Sequence, residues 1–279
     1  MHYVSPDNEL LPVTTVIYEK HHLRLSIIIP VYNEERTITQ ILDKIRNVNL
    51  IHNIEKEVII INDQSKDNSE KLISDYIIQH PDILIKYYSL AINSGKGAAV
   101  HIGISQATGN FMLIQDADLE YDPYEYNILL MPLVDDIADV VYGSRFIGGN
   151  PHRILFFWHT IGNKILTFIA NMCANLNLTD MCTGYKVFKT HLVQQLTLKE
   201  KRFGFDPEIT LKVAKIKNTK IYEVGISYYG RTYKEGKTIN WKDGVRTIYC
   251  ILKYGIFYRK PNLSNSIISP KVEATVTSK

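Results

Sequence analysis

Leu25-Ser26-Ile27-Ile28-Ile29-Pro30-Val31-Tyr32-Asn33-Glu34 sets an apolar run directly against a polar one. A short apolar run that stops at turn-forming residues reads as a strand buried on both faces. The same pattern recurs at residues 57–62 (EVIIIN), 83–89, 111–116 (FMLIQD) and 138–143. Between the first two runs Ile38, Ile41, Leu42, Ile45 and Val48 return at helical spacing, with Asn33 in the N-cap position and Glu34 and Glu35 in the first turn. Further helices are predicted over 69–79 and 97–107. Strand and helix in alternation predict an α/β fold, a mainly parallel Rossmann-like sheet flanked by helices. Ligands of such sheets sit beyond the carboxyl ends of the strands. The informative segments are therefore 32–34, 62–65, 93–97, 116–120 and 143–145.

Past Pro151 the pattern changes to a longer helical region, a strand over 221–228, a loop rich in Gly, Lys and Arg, and a last helix over 241–254. Residues 1–23 read as an N-terminal extension, 24–260 as a single catalytic domain, and 261–279, rich in Ser, Asn and Pro, as a disordered tail. With 45% hydrophobic and 22% charged residues among 279, the chain can bury a sizeable core. Lys and Arg number 32 against 29 Asp and Glu, and a net charge of +3 is too small for the footprint of a nucleic-acid binder. Cys173, Cys182 and Cys250 fit neither a disulfide framework nor a four-ligand zinc site, and read as reduced thiols of a cytosolic protein. The first residues lack the order of a signal peptide, and no apolar stretch reaches the roughly 20 residues of a membrane-spanning helix. The densest one, 154–178, is broken by His159, Asn163, Lys164, Asn171 and Asn175, and reads as a core or surface-lying helix.

Three phosphate-binding or nucleophile devices are excluded by position. Leu90 stands where a Walker A loop ending at Gly95-Lys96 needs its first glycine, and Gly97 where it needs Ser or Thr. No G-x-G-x-x-G follows the first strand, and no G-x-S-x-G elbow is present. Asp116-Ala117-Asp118, with Glu120 behind it, stands out instead. Two carboxylates one residue apart at a strand end can reach one divalent cation, which in turn can bridge a diphosphate. Asp-x-Asp alone also occurs in ordinary loops.

Five segments in one order remove that ambiguity: Pro30 to Glu34, Asn62-Asp63-Gln64-Ser65, Asn93-x-Gly95-x-Gly97, Asp116 to Glu120, and Gly143-Ser144-Arg145. Together they resemble the family 2 glycosyltransferases of GT-A fold, within them the dolichyl- and polyprenyl-phosphate mannosyl- and glucosyltransferases, over residues 25–254. The resemblance implies donor-side roles for Pro30, Tyr32, Glu34, Asp63, Lys96 and Asp116, and metal ligation by Asp116, Asp118 and Glu120. Asn62 departs from the family's usual Asp-Asp-x-Ser by an amide. Arg145, Arg153, Arg231 and Lys237 resemble acceptor-side and phosphate-binding elements, since guanidinium offers fixed donors to phosphate oxygens; taken singly, each arginine is equally a surface charge. Asp180 resembles an acceptor-side carboxylate or a turn former. Asp206 reads equally as lining the acceptor path or as capping a helix with Pro207 in its first turn. Cys182 has no paired histidine and is not read as a nucleophile.

The resulting expectation is an inverting glycosyltransferase that uses Mg2+ or Mn2+, with Asp118, Asp180 and Arg145 at the reaction centre. The donor is a nucleotide-sugar, GDP-mannose or a UDP-hexose, and the acceptor a polyprenyl phosphate lipid. Transfer to a sugar hydroxyl in cell-surface glycan synthesis is the alternative, and a sugar-nucleotide nucleotidyltransferase the alternative from another class. The expected location is cytoplasmic, with peripheral contact at the inner face of the membrane through Phe156, Phe157 and Trp158 beside Arg153 and Lys164.

Overall fold

The computed structural model describes residues 23–149, 151, 153, 156–232 and 241–258. Residues 1–22 of the extension over 1–23, the tail over 261–279 and Lys237 lie outside them. Seven strands form one sheet in the order β3-β2-β1-β4-β6-β5-β7. They are β1 (Arg24–Val31), β2 (Glu55–Asn62), β3 (Leu84–Ser89), β4 (Phe111–Ile114), β5 (Val140–Ser144), β6 (Lys186–Lys189) and β7 (Ile221–Gly225). β1 runs parallel to β2 and β4, β2 to β3, and β5 to β7, whereas β6 is antiparallel to both β4 and β5. β1 has β2 on one side and β4 on the other, so the winding reverses there and a cleft opens at the carboxyl ends of β1 and β4.

The helices are α1 (Ile38–Asn47), α2 (Ser69–Gln79), α3 (Lys96–Gln106), α4 (Tyr126–Val134), α5 (Phe157–Ala174), α6 (Thr190–Gln194), α7 (Phe205–Ala214) and α8 (Trp241–Leu252), the last running into a π-turn over Lys253–Phe257. Side chains alternate across the sheet. Ile27 and Ile29 pack on one face with Ile38, Ile41 and Ile45 of α1, and Ile28 packs on the other with Val100 and Ile104 of α3. A Cβ at Gly103 would lie 2.2 Å from Cγ2 of Ile28, which shows how closely α3 is seated.

Three differences from the sequence expectation have physical causes. α1 begins at Ile38 with Thr37 at its N-cap, four residues after Glu34. Asn33 is instead left-handed (φ 56°) and its side chain accepts from the backbone N–H of Lys66 at 2.8 Å, so Asn33 and Glu34 belong to the loop that faces the cleft. β6 is only four residues long with lysine at both ends, too short and too polar to show as a strand. α4 carries Pro132 in its interior, which masks its helical pattern.

Glu57 on β2 is fully buried. Its carboxylate accepts from Ser26 Oγ (2.6 Å), Thr108 N (3.0 Å) and Thr108 Oγ1 (2.8 Å), and Lys86 Nζ lies at 2.5 Å. Burial alone would raise its pKa, but the bonds from Lys86, Ser26 and Thr108 outweigh it and hold the group at about 2. A carboxyl depressed on folding stabilises fully above its unfolded pKa and loses that contribution as pH falls through its folded one. Stability should therefore decline between pH 4.5 and 2 with a Glu57 share of about 3 kcal/mol. Urea melts across this range should show a shallower decline for Glu57→Gln; an identical slope would mean that the carboxylate is not held in this way.

Candidate active site

Asp116 follows β4 and Gln115, and Gln115 explains how it is aimed. The buried Gln115 amide oxygen accepts from the hydroxyls of Tyr126 and Tyr185, both at 2.7 Å, while Nε2 donates to the Asp116 carbonyl at 2.9 Å. Tyr121 lies against Tyr185 and Tyr228, with ring centroids 4.8 and 5.4 Å apart, and its hydroxyl accepts from Gly184 N at 2.7 Å. Leu119, left-handed at φ 62°, turns the chain so that Asp118 Oδ1 accepts from Glu120 N at 3.1 Å. A left-handed leucine between two acidic side chains is local strain held by its surroundings.

Two cations meet the resulting negative charge. Lys96, the first residue of α3, has Nζ 2.5 Å from Asp116. Arg231 donates to Asp118 at 2.8 Å and stands 3.6 Å from Glu34 and from Glu120. Asp118 is pushed up to about 7, by burial first and then by Asp116 and Glu120. Burial pulls the Lys96 ammonium down, but Asp116, Asp206 and Asp118 outweigh it and keep it charged. Glu34 is raised by burial, an effect that Arg231 partly offsets. Asp63 supports this region from below: its two carboxylate oxygens accept from Ser94 N and Gly95 N, each at 2.7 Å, fixing the loop before Lys96. Tyr32 is exposed at the lip, whereas Pro30 lies within β1, paired with Ile61 of β2.

The acceptor-side residues divide into those that face the cleft and those that hold others. Asp180 is fully buried, and its oxygens are taken by Arg145 Nε (2.6 Å) and Nη2 (2.8 Å). Asp180 thus anchors Arg145 and is not presented as a proton acceptor, which corrects its expected place at the reaction centre. Glu223 on β7 accepts from the backbone N–H of Thr179 and of Asp180, so the anchor is itself anchored. The Arg145 guanidinium also lies 5.0 Å from the Tyr228 ring. Arg153 donates to the Gly230 carbonyl at 3.0 Å and so fastens the segment that carries Arg231. Glu120 faces the same segment, accepting from Tyr228 Oη (2.8 Å) and Arg231 N (2.7 Å), and among the described residues no three acidic, His or Cys side chains stand close enough to hold a metal together. Glu120, expected as a third metal ligand, is thus taken up by the segment that carries Arg231 and does not group with Asp116 and Asp118.

Tyr121 and Tyr228 carry no signal in the sequence, and Lys186 is read there only as the last residue of the acceptor-side segment 179–186. Fully buried Lys186 bonds the Thr183 carbonyl and Asp206 (2.6 Å). Asp206 does not cap α7, whose N-cap is Gly204. Burial, with Asp206 and Asp180, pushes the Cys182 thiol up to about 12, which removes it as a nucleophile. All three cysteines are unpaired.

The family model for glycosyl transferase family 2 matches residues 26–197, the part that builds β1 to β6 and the loops just described. The chain belongs to glycosyl transferase family 2. It is 25% identical to a dolichyl-phosphate beta-glucosyltransferase of Trichomonas vaginalis, covering 92% of this chain and 81% of that one. It is 26% identical to a UDP-N-acetylglucosamine–dolichyl-phosphate N-acetylglucosaminyltransferase of Methanococcus voltae, over 81% and 94%. Against a dolichol-phosphate mannosyltransferase of Pyrococcus furiosus it is 24% identical, over 83% and 64%. Glucosyl-3-phosphoglycerate synthase of Mycobacterium tuberculosis, solved with Mn2+, uridine diphosphate and glucosyl-3-phosphoglycerate, superposes with a TM-score of 0.63 at 17% identity, over 83% of this chain and 80% of that one. The fold of this glycosyltransferase is accordingly the GT-A fold.

A Cβ at Gly184 would lie 2.6 Å from the Tyr121 ring and 2.9 Å from Asp116 Oδ2. Gly184→Ala in this glycosyltransferase is expected to cost about 1–3 kcal/mol in a urea melt, because a packed ring or a site carboxylate must move. Unchanged stability would show that the Tyr121 ring gives way freely.

Proposed function

We propose that this family 2 glycosyltransferase moves a sugar from a nucleoside diphosphate donor to a polyprenyl phosphate. The observation that carries this reading is the meeting of Lys96 and Arg231 on Asp116 and Asp118 at the switch point of the sheet, with Arg145 held on the downstream side. An all-oxygen pair of carboxylates suits Mg2+ or Mn2+, which characteristically take one or two carboxylates and complete their shell with substrate phosphates and water. Asp116 and Asp118 would hold the ion, and it would neutralise charge on the leaving diphosphate. Neighbours of the same fold solved with uridine diphosphate and Mn2+ or Mg2+ support that choice.

In the proposed reaction an acceptor phosphate oxygen forms a bond to the anomeric carbon as the bond from that carbon to the donor diphosphate breaks. The nucleoside diphosphate leaves with the electron pair, and the configuration inverts. A phosphate oxygen is already anionic at neutral pH, so no residue has to take a proton. Transfer to a sugar hydroxyl would need a base, and the sequestration of Asp180 by Arg145 favours the phosphate acceptor. Lys96 and Arg231 orient the phosphates, and the fixed guanidinium of Arg145 offers charge without having to reorganise. The choice of a lipid acceptor is supported by the names of the relatives, which act on dolichyl phosphate.

A lipid acceptor implies a surface that meets the bilayer. No helix among the described residues is long and apolar enough to cross a membrane. α5 and α8 pack together through Ala170, Cys250 and Ile251, and turn outward Phe157 (67% exposed), Trp158 (77%) and Phe168 from α5, with Tyr249, Ile256 and Phe257 from α8 and its π-turn. Lys164 and Arg246 lie on the same elements. These exposed apolar side chains near basic ones support an interfacial seat, in which apolar insertion is backed by basic charge.

The reading is tested by donor turnover with GDP-mannose, UDP-glucose and UDP-N-acetylglucosamine on a short polyprenyl phosphate, with Mn2+ or Mg2+. At least one donor should be consumed. Asp118→Ala should lower turnover by at least a hundredfold with its circular dichroism unchanged, whereas activity that persists in that variant, or in excess chelator, would overturn the metal assignment.

Vesicle cosedimentation addresses the surface. The wild type should bind anionic vesicles less well as salt rises. Phe157→Ser combined with Trp158→Ser should bind several-fold less, and equal binding by folded samples of both would remove this edge as an anchor.

A further inference from the structure

Glu200 lies just past the segment matched by the family model, and none of the chemistry above uses it. It is 5% exposed yet remains ionised, its carboxyl held at about 2 because bonds from Lys253, Arg246 and Tyr254 overcome burial. Arg246 Nη2 lies at 2.6 Å, Lys253 Nζ at 2.9 Å and Tyr254 Oη at 2.8 Å, all three from α8 and its π-turn. The backbone at this point is tied to another helix: Lys199 N and Glu200 N donate to the carboxylate of Glu208 on α7, at 2.9 and 2.7 Å. The segment from Lys199 to Gly204 is thus strapped to two helices by two buried carboxylates.

Its other side lies flat on the first turn of α3. The Lys201 carbonyl accepts from Ala98 N at 3.1 Å, a helix-start donor that it shares with the Gly95 carbonyl at 2.9 Å. A Cβ at Gly97 would stand 2.4 Å from the Glu200 carbonyl oxygen, and one at Gly95 2.6 Å from that of Lys201. Gly95 is also left-handed, at φ 94°. The strap backbone fits against α3 only because neither Gly95 nor Gly97 carries a Cβ, so the start of α3 follows the strap. Between those two glycines is Lys96, whose ammonium meets Asp116 at 2.5 Å.

We propose that Glu200 is a positioning residue: by clamping the strap to α8, it fixes the start of α3 and thereby sets Lys96 against Asp116. Its bearing on catalysis rests on the reading of that place as the donor diphosphate site. The mechanical part does not, because it concerns only what holds α3.

Amide hydrogen exchange and calorimetry on the full chain separate the two. In Glu200→Ala, exchange at residues 97–100 should quicken about tenfold while β1 amides stay as in the wild type. Acceleration confined to α8 and residues 199–204 would overturn the inference. Binding of Mn2+ with uridine diphosphate or guanosine diphosphate should weaken about tenfold in the folded alanine variant and less in Glu200→Gln, which keeps the shape and part of the hydrogen bonding. A purely structural role would lower the melting temperature and leave the affinity of folded protein unchanged, which would also overturn it. If the wild type binds neither nucleotide, the donor reading fails, and the exchange result alone decides whether Glu200 holds α3. Should Glu200→Ala not fold, Arg246→Ala, which removes one of the three donors, carries the same expectations in the same direction.

Discussion

Four carboxylates, those of Glu34, Asp116, Asp118 and Glu120, share the carboxyl ends of β1 and β4 with two cations, Lys96 and Arg231. Two like charges 4 Å apart repel by about 4 kcal/mol at an effective dielectric of 20, so the arrangement survives only if every member is held. The holding is visible in each case. Asp63 and the 199–204 segment fix the loop of Lys96, Arg153 and Glu120 fix the segment of Arg231, and the Gln115–tyrosine cluster fixes Asp116. Asp118, the most crowded, shows the cost as a raised pKa. A site so constructed suits a ligand that brings both signs, a divalent cation together with an anionic diphosphate.

α8 joins two parts of the reading. It carries side chains proposed to meet lipid and, with its π-turn, the Arg246, Lys253 and Tyr254 groups that hold Glu200, the residue proposed to steady the lysine beside Asp116.

The sheet was legible in the sequence because its buried parallel strands read as uninterrupted Ile and Val runs, and each run ended where a polar loop had to begin. The cleft was legible for the same reason, since Glu34, Lys96, Asp116 and Asp118 all follow a strand or open a helix. What could not be read was the division of labour among polar side chains. Arg145, Arg153, Asp180 and Glu120 have the residue types of ligands, but in space several of them hold another residue in place, and residue type is the same in either role. Tyr121 and Tyr126 escaped because nothing in their sequence neighbourhood announces the ring and hydroxyl contacts they make with Tyr185, Tyr228 and Gln115. The start of α1 was misplaced because Asn33 and Glu34 imitate a helix cap while Asn33 adopts a left-handed turn.

β6 has a consequence for how the chain comes together. It is four residues long and antiparallel, yet it sits between β4 and β5 and is the only strand in the sheet bonded to either of them on that side. As the chain leaves the ribosome, β3-β2-β1-β4 can assemble early, with the inner edge of β4 unpaired. β5, made next, has nowhere to dock until some forty further residues, α5 among them, have emerged and turned back. Two bare strand edges therefore wait on one short late segment, the situation in which nascent chains pair with one another instead of with themselves. The lysines that flank β6 are charges at the ends of that late edge, and Lys189 finds Asp136 and Asp139 only when the strand is home. A chain cut before Lys186 would lack the strand that joins β4 to β5 and would leave both of those edges open.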